Sequence, residues 1–212
     1  MELKGLTINF LGDSITEGHG TTAPEKVFHQ IIKEKYDLKF AYNYGIGGTR
    51  IARQLVPTKD RTKHDLYFEL RAEVMDRNAD AVVVFGGTND YGHGDAIFGE
   101  LDTEDAYTFC GAVNSLISKL KRKFPKARIV FMTPIHRLNE TQPSQPDGKT
   151  LEDYVNAIRE ICEKRGVDVI DLFRINPLDP SDKELVPDGL HPSDKGHSIM
   201  AEVIGAELLK IK

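Results

Sequence analysis

Five consecutive apolar residues, Ala81-Val82-Val83-Val84-Phe85, constrain the fold of this chain more than any other stretch. Successive strand residues point to opposite faces, so a strand with no polar member must be covered on both sides. Parallel sheets sandwiched between helices bury their strands in this way. The run stops abruptly at Gly86-Gly87-Thr88-Asn89-Asp90. The same change, from buried strand to glycine and polar residues, recurs along the chain.

A strand over residues 6–11 ends in Gly12-Asp13-Ser14. A helix over 24–36 follows, with Val27, Phe28, Ile31 and Ile32 on one face. A second strand over 40–44 runs into Gly45-Ile46-Gly47-Gly48-Thr49, where three glycines in a short span imply unusual backbone freedom or a close approach. Residues 50–65 are polar and show no period. A helix is expected over 66–75, and a glycine-containing loop over 91–100. Thr103 is placed to cap a helix reaching Arg122, with Phe109, Val113, Leu116, Ile117 and Leu120 inward and Pro125 closing it. Arg128–Met132 reads as a fourth buried strand, followed by Thr133-Pro134-Ile135-His136-Arg137. Residues 138–149 form a long aperiodic loop, of the kind that often covers a site. Thr150 can cap a helix over Leu151–Lys164, with Val155, Ile158 and Ile161 inward and Gly166 as its stop. A fifth strand spans 167–172. After a loop over 179–189, His191-Pro192-Ser193 opens a last helix over 194–209, with Pro192 in its first turn.

Strands thus alternate with helices. Right-handed crossovers turn that order into an α/β fold, a parallel sheet of about five strands with helices on both faces. The 212 residues suit one domain spanning the whole chain. The net charge of −5 and the lack of a long basic run argue against nucleic acid as a partner. No apolar run approaches the roughly 20 residues that span a bilayer. No leader is visible before the first strand, so a cytoplasmic location is expected, with secretion after leader removal left open. Cys110 and Cys162 lack metal spacing and read as buried free thiols, although a bridge between them stays open.

The polar blocks all follow strand ends, which gathers Ser14, Gly48, Asn89, Asp188 and His191 on the rim where open α/β sheets hold ligands. Each block has a plain structural alternative. Asp188 and His191 can cap a helix, Asn89-Asp90 can be a turn, and the glycines can serve a tight connection. Together, however, the blocks Gly12-Asp13-Ser14, Gly45–Thr49, Gly87-Thr88-Asn89-Asp90 and Asp188-Gly189-Leu190-His191 resemble the SGNH hydrolases, the GDSL-like esterases, in the family's order and over nearly the whole chain. Ile15 stands where that family's first block carries leucine. No Gly-x-Ser-x-Gly surrounds Ser14, so the α/β-hydrolase elbow is not the match. The glycines of 45–48 are no dinucleotide fingerprint either.

The resemblance implies a flavodoxin-like three-layer fold and a serine esterase that works without a cofactor. A serine hydroxyl needs a base to become nucleophilic, and His191 is the candidate. Asp188 can hold the other ring nitrogen. By resemblance, the oxyanion donors are the backbone N–H groups of Ser14 and Gly48 and the side-chain amide of Asn89. Asp13, Tyr91, His93, His136 and Arg137 are further candidates for contact with substrate. Asp13 and Asp90 also suit structural bonds to loop amides. His19, His29, His64 and His197 read as ordinary surface or packing residues, and no cluster has metal-ligand spacing. The polar rim favours short acyl groups, such as acetyl, on a carbohydrate or similar alcohol. A lysophospholipase or thioesterase, and a catalytically silent glycan binder, are the alternatives.

Overall fold

The computed structural model describes residues 1–54, 66–93, 96–144 and 147–212; most of the unassigned polar stretch, with His64, lies outside them. Five parallel strands form one sheet: β1 (Thr7–Gly12), β2 (Phe40–Gly45), β3 (Ala81–Phe85), β4 (Arg128–Met132) and β5 (Asp168–Ile170), in the order β2-β1-β3-β4-β5. β3 is paired on both edges, with Val83 opposite Phe10 on β1 and Val130 on β4. The order reverses between β1 and β3, and that switch point is where doubly wound sheets leave a crevice at their carboxyl ends.

The apolar run of β3 is divided by its pleat. Ala81, Val83 and Phe85 join Ile8, Phe10, Val130 and Met132 on one face. They pack under α2 (Phe28–Tyr36) and α8 (Asp194–Lys210), through Phe28, Ile32, Met200 and Ile204. Val82 and Val84 join Leu11, Ile129 and Phe131 on the other face. They pack under α3 (Phe68–Ala72), α5 (Phe109–Lys123) and α6 (Leu151–Lys164), through Phe68, Leu116, Leu120, Ile158 and Ile161. Both faces are therefore dry, as an uninterrupted apolar strand requires.

Three short helices interrupt stretches read as loop or strand: α1 (Ser14–Glu17), α4 (Thr88–His93) and α7 (Leu172–Ile175). α5 begins later than expected. Its cap is Thr108, whose side chain accepts from the Gly111 N–H, whereas Thr103 donates to the Glu100 carbonyl in a preceding turn. The first expected helix is split into a 3₁₀ turn over Pro24–Lys26 and α2, with Val27 extended between them. β5 is shorter than expected because Asp171 caps α7 at its end. Ser193 caps α8, so Pro192 stands just outside the helix rather than in its first turn.

Cys110 and Cys162 are both free and buried, and burial pushes each thiol up to about 12. Among the described residues, no helix is long and apolar enough to cross a membrane.

Candidate functional site

At the end of β1 the chain turns at once into α1. Gly12 is required there, because a Cβ would lie 2.8 Å from the Phe85 carbonyl oxygen and overlap the Thr16 side chain. Asp13 caps the short helix by accepting from the Ile15 N–H at 3.1 Å. Ser14 is thereby the first helical residue, at the carboxyl edge of the sheet beside the switch point. The end of β2 packs directly on α1: a Cβ on Gly45 would lie 2.1 Å from the Glu17 nitrogen.

Asp188 and His191 arrive from the loop before α8. Ser14 Oγ lies 2.9 Å from His191 Nε2, and His191 Nδ1 lies 2.6 Å from Asp188 Oδ2. The other Asp188 oxygen accepts the backbone N–H groups of Leu190, at 2.9 Å, and His191, at 2.7 Å. Burial alone would raise the Asp188 pKa; the His191 ring and these two amides outweigh it and hold the carboxyl at about 2. The helix-cap alternative for this pair is not what forms, since Ser193 does the capping. The His19 ring stands edge-on to His191 with centroids 4.3 Å apart, a contact the sequence reading did not anticipate. His19, Asp188 and His191 bring one potential ligand atom each to within 4.8 Å of one another, which makes them the described residues able to meet a cation. Two of the three are already joined in the serine–imidazole–carboxylate series.

The glycine block reaches the same spot. A Cβ on Gly47 would lie 3.4 Å from Ser14 Cβ, and the Gly47 N–H donates to Glu17 Oε2 at 2.8 Å, tying the loop to α1. Gly48 has φ +75°, a left-handed conformation that glycine adopts without strain, and the space beside its Cα is open. Asn89, buried at the start of α4, donates one amide hydrogen to the Thr49 carbonyl at 2.9 Å. That bond aims the side chain and leaves its second hydrogen for another acceptor. The structure thus brings the four sequence blocks together.

Beneath them lies a buried ionic layer. Asp90 accepts from the N–H groups of Ile51 (3.1 Å) and Ala52 (2.9 Å), and burial lifts its pKa to about 6. Burial lifts Asp13 further, to about 7. Asp13 is 2% exposed, so its carboxyl is a helix cap inside the protein rather than a surface that substrate meets. Arg71 was not singled out by sequence reasoning. Its guanidinium donates to the carbonyls of Leu66, Gly12 and Tyr44 and to Thr49 Oγ1, joining the ends of β1 and β2 to the glycine loop. One signal could have found it: it shares the buried face of α3 with Phe68 and Ala72, and a cation on a core face is rare unless paired.

The remaining candidates separate. Both His136 ring nitrogens are engaged, one with the Glu140 carboxylate and one with the Phe173 carbonyl, and the ring stacks on Phe173. His136 is therefore a strut and not a free substrate contact. Tyr91 is buried, with its hydroxyl held by the carbonyls of Asn139 and Gln142. Tyr91, His93 and Arg137 line one cavity of about 290 Å³. A larger cleft of about 390 Å³, along Glu17, Thr22 and Val27, contains none of the expected site residues. His29 and His197 are buried, and burial lowers both to about 4, in keeping with packing roles.

A family model described as GDSL-like Lipase/Acylhydrolase matches residues 10–199, which takes in all four blocks. The chain belongs to this family. A solved crystal structure 34% identical in sequence resembles it with a TM-score of 0.83, covering 100% of this chain and 99% of that one. An acetylxylan esterase of Xylanibacter ruminicola is 27% identical over 220 residues, covering 93% of this chain and 42% of that protein. The human platelet-activating factor acetylhydrolase IB subunit alpha1 is 25% identical over 150 residues, covering 70% of this chain and 52% of that protein. The chain spans about half the length of the curated relatives it matches. Within the GDSL-like family, the resemblance drawn from the blocks and the five-stranded parallel α/β architecture both hold.

Proposed function

We propose that this chain is a carboxylic ester hydrolase that forms an acyl-enzyme on Ser14. One observation carries the reading: the unbroken series Ser14 Oγ, His191, Asp188, with contacts of 2.9 and 2.6 Å, beside Gly48 and Asn89. His191 Nε2 takes the Ser14 proton as Oγ attacks the ester carbonyl carbon. The carbonyl oxygen becomes an oxyanion held by the Ser14 and Gly48 N–H groups and the Asn89 amide. When the tetrahedral intermediate collapses, the bond to the alcohol oxygen breaks and Nε2 returns the proton to that oxygen. Water then repeats the sequence on the acyl-enzyme, releasing the acid and restoring the serine. Asp188, ionised throughout, keeps the Nδ1 proton in place and stabilises the imidazolium.

The acyl group is short, acetyl above all, and the alcohol is a carbohydrate or similarly polar. Support comes from the polar rim and from two relatives, both named for removing acetyl groups. A fluorophosphonate probe should label the wild type and leave Ser14→Ala unlabelled. Hydrolysis of nitrophenyl acetate should fall by at least about 10⁴-fold in Ser14→Ala. An unlabelled wild type would indicate a silent binder. A preference for octanoate over acetate would indicate a lipase instead.

A further inference from the structure

The 290 Å³ cavity lies between α4 and the segment after β4, walled by Tyr91, Gly92, His93, Arg137, Asn139 and Gln142. It borders the candidate site on two sides. α4 carries Asn89, and the Leu138 N–H donates to the Gly189 carbonyl at 2.9 Å, next to Asp188. Its volume is near the lower end for ligand pockets, about 300 Å³, which suits a single ring better than an acyl chain.

Arg137 is held rigidly in this wall. Its Nη1 donates to the Thr88 carbonyl at 3.1 Å and to Thr88 Oγ1 at 3.2 Å. The guanidinium lies 5.6 Å from the centroid of the Tyr91 ring, which the Asn139 and Gln142 carbonyls fix in turn. Gly92 admits it: a Cβ there would fall 2.5 Å from Nη1 and 3.3 Å from Nη2. Yet the bonds to Thr88 use only one of the three nitrogens. Nε is buried without a hydrogen-bond partner, and the carboxylates that act on this guanidinium, Asp13 and Asp188, do so through space and not as an ion pair. The described lining contains no Asp or Glu, in a chain whose acidic residues outnumber its Lys and Arg by 33 to 28. Nη2 takes part in neither bond, which leaves one edge of the planar guanidinium for a charge-assisted hydrogen bond to a carboxylate oxygen. Ordering α4 alone would need the Thr88 bonds but not this unused edge.

We propose that this cavity binds a carboxylate on the alcohol part of the ester, read by Arg137, so that the substrate is a short-acyl ester of an acidic sugar or comparable ring-bearing hydroxy acid. The inference rests on the esterase reading above, and it assigns the charge to the alcohol because an acetyl group has none to offer.

Two measurements test it. In the first, kinetics compare a mono-O-acetylated methyl glucuronoside with the matching glucoside. The wild type should favour the acid by at least tenfold in kcat/KM, mainly through KM. Arg137→Gln should bring the ratio near one, with Arg137→Lys between. Equal rates on both sugars in the wild type would overturn the proposal, as would a loss in Arg137→Gln that is the same for both, which marks a positioning role only. In the second, calorimetry follows binding of free glucuronate, glucose and glucose 6-phosphate to Ser14→Ala. Glucuronate should bind at least tenfold more tightly than glucose; no difference, or a preference for the phosphate, would overturn the carboxylate assignment. Because binding needs no turnover, the cavity is judged even if neither ester is hydrolysed, a result that would count against the esterase reading alone.

Discussion

Asp188 and Asp13 are the same amino acid at the same serine, one reaching Ser14 through His191 and the other preceding it in the chain, yet their environments drive them in opposite directions. Asp188 is about half exposed, receives three donors and is held at about 2. Asp13 is sealed below the rim, receives one backbone N–H from Ile15 and is raised to about 7; Asp90 beside it is raised to about 6. The rim therefore keeps a permanent negative charge where an imidazolium must be stabilised. The floor keeps carboxyls whose value lies in fixing backbone amides. Chemistry and scaffolding draw on the same residue type, and hydration with donor count decides which role each copy takes.

This division predicts that rim variants lose rate while floor variants lose stability. The largest effect belongs to Asp188→Asn, which should lower kcat on nitrophenyl acetate by about 10⁴-fold with little change in the urea midpoint. A loss under tenfold would remove Asp188 from the chemistry. Next, Arg71→Met removes a buried donor from the Gly12 and Tyr44 carbonyls and from Thr49 Oγ1, and should cost about 3 kcal/mol in urea unfolding. An unchanged midpoint would show that the buried layer is not what holds the strand ends. Asn89→Ala should reduce kcat by about 10²–10³-fold, since it removes one oxyanion donor, and should spare KM. A change in KM alone would assign Asn89 to ground-state binding.

The smallest effect is a slope. Asp13 titrates near 3.8 unfolded and about 7 folded, so between those values the folded protein keeps a proton the unfolded chain has released. Its contribution to stability therefore declines as pH rises from about 4 to about 7. His29 and His197, lowered from 6.5 to about 4, act with the opposite sign: stability declines as pH falls through that range. The opposed arms partly cancel in the wild type. Asp13→Asn, which can still cap α1, removes one arm and should raise Tm at pH 8 relative to pH 5 more than in the wild type. Identical profiles would mean that Asp13 is not titrating inside the fold.

The legible parts of the sequence were those where the signal is local. Ala81–Phe85 and Leu151–Lys164 appear with the expected bounds, because an uninterrupted apolar run and a capped amphipathic period each depend on neighbours in sequence. The four blocks were legible as blocks, and the fold gathers them. What escaped depends on distant partners. α1 is a single turn held by the Asp13 cap and the end of β2, too short for any period to register. Thr103 and Thr108 are equivalent as letters; the turn in which the Thr108 N–H donates to the Asp105 carbonyl selects the second. Arg71 joins three segments scattered from Gly12 to Leu66, and His136 is consumed by Glu140 and Phe173. No window of sequence contains those pairings.

The two sealed thiols have a practical consequence. With Cys110 and Cys162 both inside the helical layer and raised to about 12, neither offers a thiolate to a maleimide or iodoacetamide at neutral pH. A cysteine introduced at the mouth of the Arg137 cavity, at Gln142 for instance, would be the sole attachment point for a spin label or fluorophore. Ligand arrival could then be followed spectroscopically without first stripping the native sulfur from the chain.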